Sequence, residues 1–186
     1  VGLQAAPPGY KQQLVPATMT EKELLQTAQW RRKSLMCNSK QFSQEDEQAL
    51  LDTTNEEVSR GFLQGPYTEQ EISVLLETEE WSLNPRFALF QGTSGKVRVI
   101  DDAKKSAVNS AYTSTVKLQL QDIDYAANMV LAIMAEAAAA GVPLSDWKGK
   151  TFDLSKAYKQ MAILPSHQKH AVVGFPISGK WKFYRS

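Results

Sequence analysis

The stretch "TFDLSKAYKQM", Thr151 to Met161, combines residue types that can bind a metal ion and a phosphate group. Asp153 ends a short run, "KGKTFDL", that reads as a β-strand, and a tight turn is expected directly after it. Carboxylate oxygens are preferred ligands of hard divalent cations, and free turn amides can donate to phosphate oxygens. The spacing therefore suggests a metal–phosphate site. A lone aspartate at a strand end is, however, more often a plain turn or cap residue.

Two basic residues in "GKVRVIDD" form a second candidate. Lys96 and Arg98 are two positions apart on a predicted strand, so they share one face of it. Such a pair can bind a triphosphate or a nucleic-acid backbone. The alternative is two solvent-facing residues on an edge hairpin. Asp101 and Asp102 follow, but the next residues are Ala-Lys-Lys and not a returning apolar strand. We therefore interpret these two aspartates as structural.

The remaining candidate ligands and stacking residues carry less information. His167 and His170 are three apart and lack a third ligand of fitting spacing, so we predict no metal site there. We expect the tryptophans to be core residues. They are Trp30, Trp81, Trp147 and Trp181.

The elements that must position these side chains begin with three helices. Thr20 with Glu23, and Thr68 with Glu71, match the capping-box pattern at a helix start. Between them, Ser43 opens a helical stretch with acidic residues in its first turn, where the helix dipole favours them. The first nineteen residues contain Pro-Pro-Gly and no sustained periodicity, which is typical of a linker.

A different pattern begins at Pro85. Two apolar runs, 87–90 and 97–100, flank "QGTSG" and predict a β-hairpin. A long Ala-rich helix follows and ends at Gly141, a typical C-terminal cap. After the strand "KGKTFDL", the runs "HAVVGF" and "KWKFYR" predict a second hairpin. This order predicts an α+β fold.

We expect three regions in the chain. Residues 1–19 are predicted to be a linker or disordered arm, 20–84 an acidic helical extension, and 85–186 an α+β domain.

Composition narrows the class of protein. The apolar run 126–140 is too short to span a bilayer and contains Glu136, so we expect a buried helix and no membrane contact. The single Cys37 excludes an intrachain disulfide and favours an intracellular location.

Charge is distributed unevenly along the chain. Residues 81–186 carry fourteen Lys/Arg against seven Asp/Glu, whereas residues 41–80 carry one Lys/Arg against eleven Asp/Glu. The basic half suits a polyanionic partner, although an ordinary solvated surface has the same composition.

Taken in order, Arg98, Asp102, Asn109 and "FDLSKAY" resemble a reverse transcriptase of the retroelement type. The resemblance covers roughly residues 87–186. In that family a fingers hairpin of the form Phe-Ala-apolar, loop, Arg-x-x-x-Asp and a later Asn precedes the first palm strand. That strand ends in Asp-x-x-x-Ala-aromatic. The resemblance implies an α+β fold in which a helical N-terminal arm precedes a partial fingers and palm region.

The resemblance also implies roles for the palm residues. Asp153 would be the first catalytic, metal-binding aspartate, and Leu154 would help to hold metal and triphosphate through its backbone. Lys156 and Ala157 would offer amides to the triphosphate. Tyr158 would lie under the sugar and exclude a 2′-OH by its bulk.

For the fingers hairpin, the resemblance implies that Arg98 contacts the triphosphate, and we expect Lys96 to bind substrate beside it. Asp102 and Asn109 would mainly hold the segment in place. The family often has a basic residue where this chain has Gln91, and two extra residues separate Asp102 from Asn109.

The implied reaction is attack of a primer 3′-OH on the α-phosphate of a dNTP, with two Mg²⁺ ions and an RNA or DNA template-primer. The family's second acidic motif, aromatic-x-Asp-Asp, is absent from these 186 residues. We therefore expect the span to be inactive alone. The alternative is a non-catalytic nucleic-acid-binding or interaction module, derived from a decayed retroelement.

Overall fold

The computed structural model describes residues 15–39, 41–91, 96–113, 123–143, 159 and 162–186. Two compact units are present, Val1–Gln13 with Thr115–Ala157, and Leu14–Ser114 with Tyr158–Ser186. The described elements of the second unit, in chain order, are α1 (Glu21–Gln26), α2 (Ala28–Cys37), α3 (Gln44–Ser59), β1 (Gln64–Tyr67), α4 (Glu69–Leu75), β2 (Leu83–Gln91), β3 (Lys96–Asp101), β4 (Val172–Ile177) and β5 (Lys180–Arg185). Two short 3₁₀ helices, Val108–Ala111 and Pro165–His170, complete it.

Five strands of this unit form one mixed sheet in the order β1-β5-β4-β2-β3. β2 and β3 are the first predicted hairpin, and Phe87 lies opposite Ile100 in their antiparallel register. β4 and β5 are the second, with Gly174 opposite Phe183. β2 and β4 run parallel to each other. Both hairpins and the α+β fold are therefore confirmed.

A separate hydrophobic core lies against each face of the sheet. Adjacent residues of a strand point to opposite faces, and Val172 and Val173 accordingly belong to different clusters. One core joins Leu50 of α3 to Val173, and the other joins Ile72 of α4 to Val172. The helices of the sequence-predicted extension thus pack on the two faces of the sheet.

The buried side chain of Arg32 links α2 to α4 and to the segment before β2. The Arg32 side chain is fully buried, and its Nε donates to Glu69 Oε1 at 2.7 Å. Its Nη1 donates to the Trp81 carbonyl at 2.8 Å, and its Cζ lies 3.8 Å from the centre of the indole ring. Trp81 is a core residue, as predicted, whereas Trp30 is 70% exposed and contradicts the expectation for the tryptophans.

Individual capping hydrogen bonds confirm the predicted helix starts. Both Thr20 and Thr68 accept from the third helical N–H, and the glutamate at that position accepts from the cap N–H in return. Ser43 forms the same reciprocal pair with Asp46. The first predicted helix is divided at Thr27, whose hydroxyl donates to the Glu23 carbonyl at 2.7 Å.

β1 is an element that the sequence did not predict. Its Gly65-Pro66 pair reads as a chain break, but the segment forms an edge strand antiparallel to β5. Proline is tolerated at a sheet edge because it has no N–H to donate. Gly65 has φ +144°, and a Cβ there would lie 2.8 Å from the Phe183 carbonyl oxygen, so close approach requires glycine.

The residues on either side of the expected boundary at 84/85 share this sheet and its two cores, and the boundary itself stays a prediction. Residues 1–14 of the expected arm lie outside the described residues. Thr18 and Met19, near its end, both donate backbone hydrogen bonds to the Ser110 carbonyl.

The first unit contributes one described helix, α5 (Ile123–Ala139), where the Ala-rich run predicts it. Gly141 follows with φ +67°, the left-handed conformation of a C-terminal cap. The expectation of a buried helix does not hold for its large apolar side chains, since Met129, Leu131 and Met134 are all at least 41% exposed. Among the described residues, no helix has the length and apolar character required to cross a bilayer.

Candidate functional site

The β2–β3 hairpin presents the predicted basic residues on its outer edge strand. Lys96 pairs with Gln91 and Arg98 with Leu89, so the two basic positions fall on one face of β3. Arg98 is exposed, and it forms no ion pair with any residue in the described part of the chain. Because its side chain is exposed and has no ionic partner among the described residues, the Arg98 guanidinium is available for an anionic ligand.

On the opposite face, the same hairpin is anchored by buried charges. The Arg86 side chain is fully buried, and it donates to both carboxylate oxygens of Asp101, at 2.7 and 3.1 Å. Its Nη1 also donates to the Thr54 hydroxyl at 2.9 Å and lies 3.0 Å from Glu57 Oε2. Lys159 completes the group, with Nζ 3.0 Å from Asp101 Oδ2 and 3.5 Å from Glu57 Oε2. We call Arg86, Asp101, Glu57 and Lys159 the charge cluster.

The charge cluster changes the acid–base properties of its members. Burial alone would raise the pKa of Asp101, but Arg86 and Lys159 more than offset this effect and hold that pKa below its ordinary value. Burial likewise disfavours the charged form of Arg86, and the carboxylates of Asp101 and Glu57 outweigh it, so the Arg86 pKa is raised. The charged forms of Arg86 and Asp101 are therefore both favoured in this buried pair.

Asp102 and Asn109 organise the chain that follows β3. Asp102 Oδ1 accepts from the backbone N–H groups of Lys104 and Lys105, at 3.1 and 2.9 Å. The Asn109 N–H donates to the Ala103 carbonyl at 3.1 Å. The resemblance implies that both residues hold this segment in place. These contacts are compatible with that role, which stays a prediction. Asp101 and Asp102 are both engaged by protein groups, in keeping with their interpretation as structural.

A buried polar chain ties this loop to β4. The Ser106 hydroxyl donates to Asn84 Oδ1 at 2.6 Å. Asn84 Nδ2 in turn donates to the carbonyls of His170 and Val172, at 2.8 and 3.2 Å. The loop that contains Asp102 is thus fixed to the centre of the sheet, which holds the base of the hairpin.

A cleft of about 650 Å³ opens between the C-terminal end of α2 and the sheet. Its wall includes Phe42, Phe87 and Trp181, with Asp102 and Lys105 at polar positions. Arg98 does not line this cleft. The cleft is therefore separate from the position of Arg98, the residue predicted to contact the triphosphate.

Five of the predicted site residues lie outside the described residues. They are Asp153, Leu154, Lys156, Ala157 and Tyr158. Lys159, which follows Tyr158 directly, is described and belongs to the charge cluster. Among the described residues, no group of three metal-binding side chains comes together. His170 Nε2 and Lys169 Nζ both lie 3.0 Å from Glu21 Oε1, an ion-pair arrangement at the start of α1.

No role was predicted from the sequence for Arg86, Glu57 or Lys159. Arg86 directly precedes the predicted strand run 87–90, and the burial pattern of β2 does not alternate, so periodicity gives no signal for a buried arginine there. The partnership of Arg86 with Glu57 joins separate elements and has no local signature.

No protein family, curated protein or solved structure matches this chain. The resemblance to reverse transcriptases accordingly depends on the motifs quoted above.

Proposed function

We propose that this chain provides the fingers and first palm elements of an RNA-directed DNA polymerase. In this proposal Arg98, with Lys96 beside it, binds the triphosphate of a dNTP. Asp153 supplies one metal-binding carboxylate, with Leu154 beside it, and the segment of Lys156 and Ala157 donates amides to phosphate oxygens. Tyr158 excludes ribonucleotides. The template-primer is RNA or DNA.

The observation that carries the proposal is the hairpin itself. β2 and β3 form where the fingers motif predicts a hairpin, and Arg98, which is exposed and has no ionic partner within the described part of the chain, lies on its outer strand. The hairpin base is fixed by the charge cluster and by Asn84 with Ser106. A cation held on a rigid support loses little entropy when it binds a phosphate, which favours recognition.

The described residues do not supply a site for two Mg²⁺ ions. Asp101 is committed to Arg86 and Lys159, and Asp102 caps the loop after β3. A two-ion mechanism needs carboxylates that can hold metals about 3.5–4 Å apart. We therefore propose that Asp153 binds the metal that this chain contributes to.

The second candidate is a non-catalytic module that binds nucleic acid. The excess of basic residues over 81–186 favours it, and so does the exposed Arg98, because phosphate contacts alone give sequence-independent binding. The two candidates differ in one property. A polymerase fragment binds free dNTPs, whereas a backbone-binding module has no site for a mononucleotide.

The test is equilibrium dialysis of the purified protein with Mg²⁺ and dATP, for the wild type and for Arg98→Gln. Arg60→Gln is the matched control, since Arg60 is also exposed and its ionic partner among the described residues is its helix neighbour Glu56. Loss of a charge-assisted phosphate contact should weaken dATP binding by roughly tenfold in Arg98→Gln and leave the control unchanged. Absence of dATP binding in the wild type, with retained binding to duplex or single-stranded nucleic acid, supports the second candidate.

A further inference from the structure

The cleft beside α2 has the size and the wall of a ligand-binding site. Its volume of about 650 Å³ falls within the range of roughly 300–1,000 Å³ that is usual for such sites. The residues that line it all belong to the second compact unit. Its large apolar wall residues are Leu35, Phe42, Pro85, Phe87, Pro176 and Trp181. A ligand that fits this wall must therefore bring an apolar group of its own.

Phe87 is the wall residue that is most clearly available to such a group. Phe42 and Trp181 also pack against the hydrophobic cores, one against each. Phe87 is only partly buried and belongs to neither core of the described residues. An apolar ring that lies at a concave surface, without a role in the core, is typical of a binding site.

The side of the cleft formed by α3 is acidic. Asp46 lines the cleft, and Glu45 and Glu47 lie beside it in the first turn of the helix. The helix N-terminus contributes a partial positive charge of only about one half, so these carboxylates dominate. Asp46 accepts from the N–H and the hydroxyl of Ser43, at 3.2 and 2.8 Å, which fixes the position of its carboxylate. It forms no ion pair within the described part of the chain.

The other charged wall residues already have partners of opposite charge. Lys105 Nζ lies 4.0 Å from Asp102 Oδ2, and the buried Arg86 is paired with Asp101 and Glu57. The charge that remains for a ligand is thus negative. The wall also contains neutral side chains that can exchange hydrogen bonds with backbone amides. They are Ser34, Asn38, Ser39 and Gln41.

We propose that this cleft binds a basic peptide segment of a partner protein. One large apolar side chain of the segment fills the space against Phe87, and the Lys or Arg residues on either side of it face Asp46. The backbone amides of the segment meet the neutral polar side chains of the wall. An acidic peptide or a phosphate backbone would instead be repelled by Asp46. This inference does not depend on the proposed nucleotide binding.

The experiment is calorimetric titration of the 186-residue protein with the capped pentapeptide Arg-Lys-Leu-Lys-Arg. The same peptide with Gly in place of Leu tests the apolar group, and Glu-Glu-Leu-Glu-Glu tests the charge. We expect the first peptide to bind with a negative heat-capacity change, which is the mark of apolar burial. The Gly peptide should bind roughly tenfold more weakly. The acidic peptide should show no binding.

Two protein variants locate the binding in the cleft. Phe87→Ala removes part of the apolar wall and should weaken binding of the Leu peptide by roughly tenfold. Phe90→Ala is its matched control, because Phe90 lies on the opposite face of β2, is 39% exposed and does not line the cleft. This control should keep the wild-type affinity to within about twofold.

Asp46→Asn removes the charge and keeps an oxygen acceptor for Ser43. It should weaken binding by roughly threefold at low salt and have little effect at high salt, because exposed charges are screened. Asp52→Asn is the control on the same helix, since Asp52 is exposed, accepts from Gln48 Nε2 at 2.8 Å and does not line the cleft. It should leave the affinity unchanged.

The inference is overturned if the wild type does not bind the Leu peptide, or if the acidic peptide binds as tightly. Equal losses in Phe87→Ala and Phe90→Ala also overturn it. Sedimentation equilibrium tests for a second copy, and a dimer that Phe87→Ala dissociates would make another copy of this chain the occupant. Should Phe87→Ala be unfolded, Ser34→Leu replaces it. This variant fills the cleft from α2 and should abolish binding, and an unchanged affinity would count against the proposal.

Discussion

The charge cluster predicts a large and specific loss of stability when its central cation is removed. Arg86→Met keeps much of the apolar stem but removes two hydrogen bonds to Asp101, one to Thr54 and the ion pair to Glu57. Two carboxylates, 27% and 6% exposed, would then share the single cation Lys159. Removing one partner of a buried pair costs about 3–5 kcal/mol, because the other charge is left uncompensated.

Urea unfolding at neutral pH, followed by circular dichroism, measures this loss as a shift of the midpoint. For a chain of this size, the same free energy lowers the melting temperature by about 6–20 °C. Arg60→Met is the control. Its partner Glu56 is 45% exposed and Arg60 itself 50%, so the expected loss is only about 0–1 kcal/mol.

A second variant separates the contribution of charge to the free energy of unfolding from that of side-chain packing. In Arg86→Met/Asp101→Leu, Lys159 and Glu57 remain as a balanced pair, so part of the loss should be recovered even though two polar residues are now absent. The reasoning is refuted if Arg86→Met costs no more than Arg60→Met, or if the double variant is less stable than Arg86→Met.

Three further predictions concern pH, salt and sugar selection. The pKa of Asp101 is held below its ordinary value of 3.8, so the stability that this carboxylate contributes is present above that value and lost as the pH falls through the lower folded-state value. Urea unfolding at several pH values measures the difference in unfolding free energy between wild type and Asp101→Asn. This difference should become smaller below about pH 4. A difference that does not change with pH would contradict the lowered pKa of Asp101. Nucleic-acid binding should weaken steeply with salt, and Arg98→Gln should lower the slope of log K against log salt by about 0.7–0.9, whereas Arg60→Gln should not. Identical slopes for the two variants would exclude a phosphate contact by Arg98. Tyr158→Ala should raise ATP binding relative to dATP with a nearly unchanged melting point. A melting point lowered by the loss of about 3–5 kcal/mol, with an unchanged ratio, would instead identify a core aromatic residue.

The parts of the fold that were predicted correctly have local causes. The capping boxes at Thr20 and Thr68 involve residues three apart, so both partners are visible in one short window of sequence. The β2–β3 hairpin likewise closes over a short loop. α5 is predicted by its composition and by Gly141. In each of these elements the deciding contacts lie within a few residues or one connection.

The parts that were missed depend on distant partners. β1 contains Gly65-Pro66, which indicates a break unless the strand that pairs with it, β5, is known to lie alongside. The partners in the charge cluster come from α3, the hairpin and residue 159, and each of these charged residues alone is compatible with an ordinary surface position. Trp30 was expected in the core, yet its side chain on α2 is 70% exposed.

The candidate site was predicted from motif order, and the structure describes two of its seven residues, Lys96 and Arg98. Arg98 and Lys96 fall on one face of a real hairpin, which is a consequence of strand geometry and could be read directly from their spacing. Asp153 and its neighbours up to Tyr158 lie outside the described residues, so their roles stay predictions.

In the proposed function, Asp153 and Arg98 serve the same ligand, a dNTP with its metal. The most direct measurement is the affinity for dATP with and without Mg²⁺, compared between the wild type, Asp153→Asn and Arg98→Gln. We predict that Mg²⁺ strengthens dATP binding in the wild type, that Asp153→Asn loses this dependence, and that Arg98→Gln binds weakly under both conditions. Mg²⁺ dependence that is unchanged in Asp153→Asn, or dATP affinity that is indifferent to Arg98, would contradict the claim.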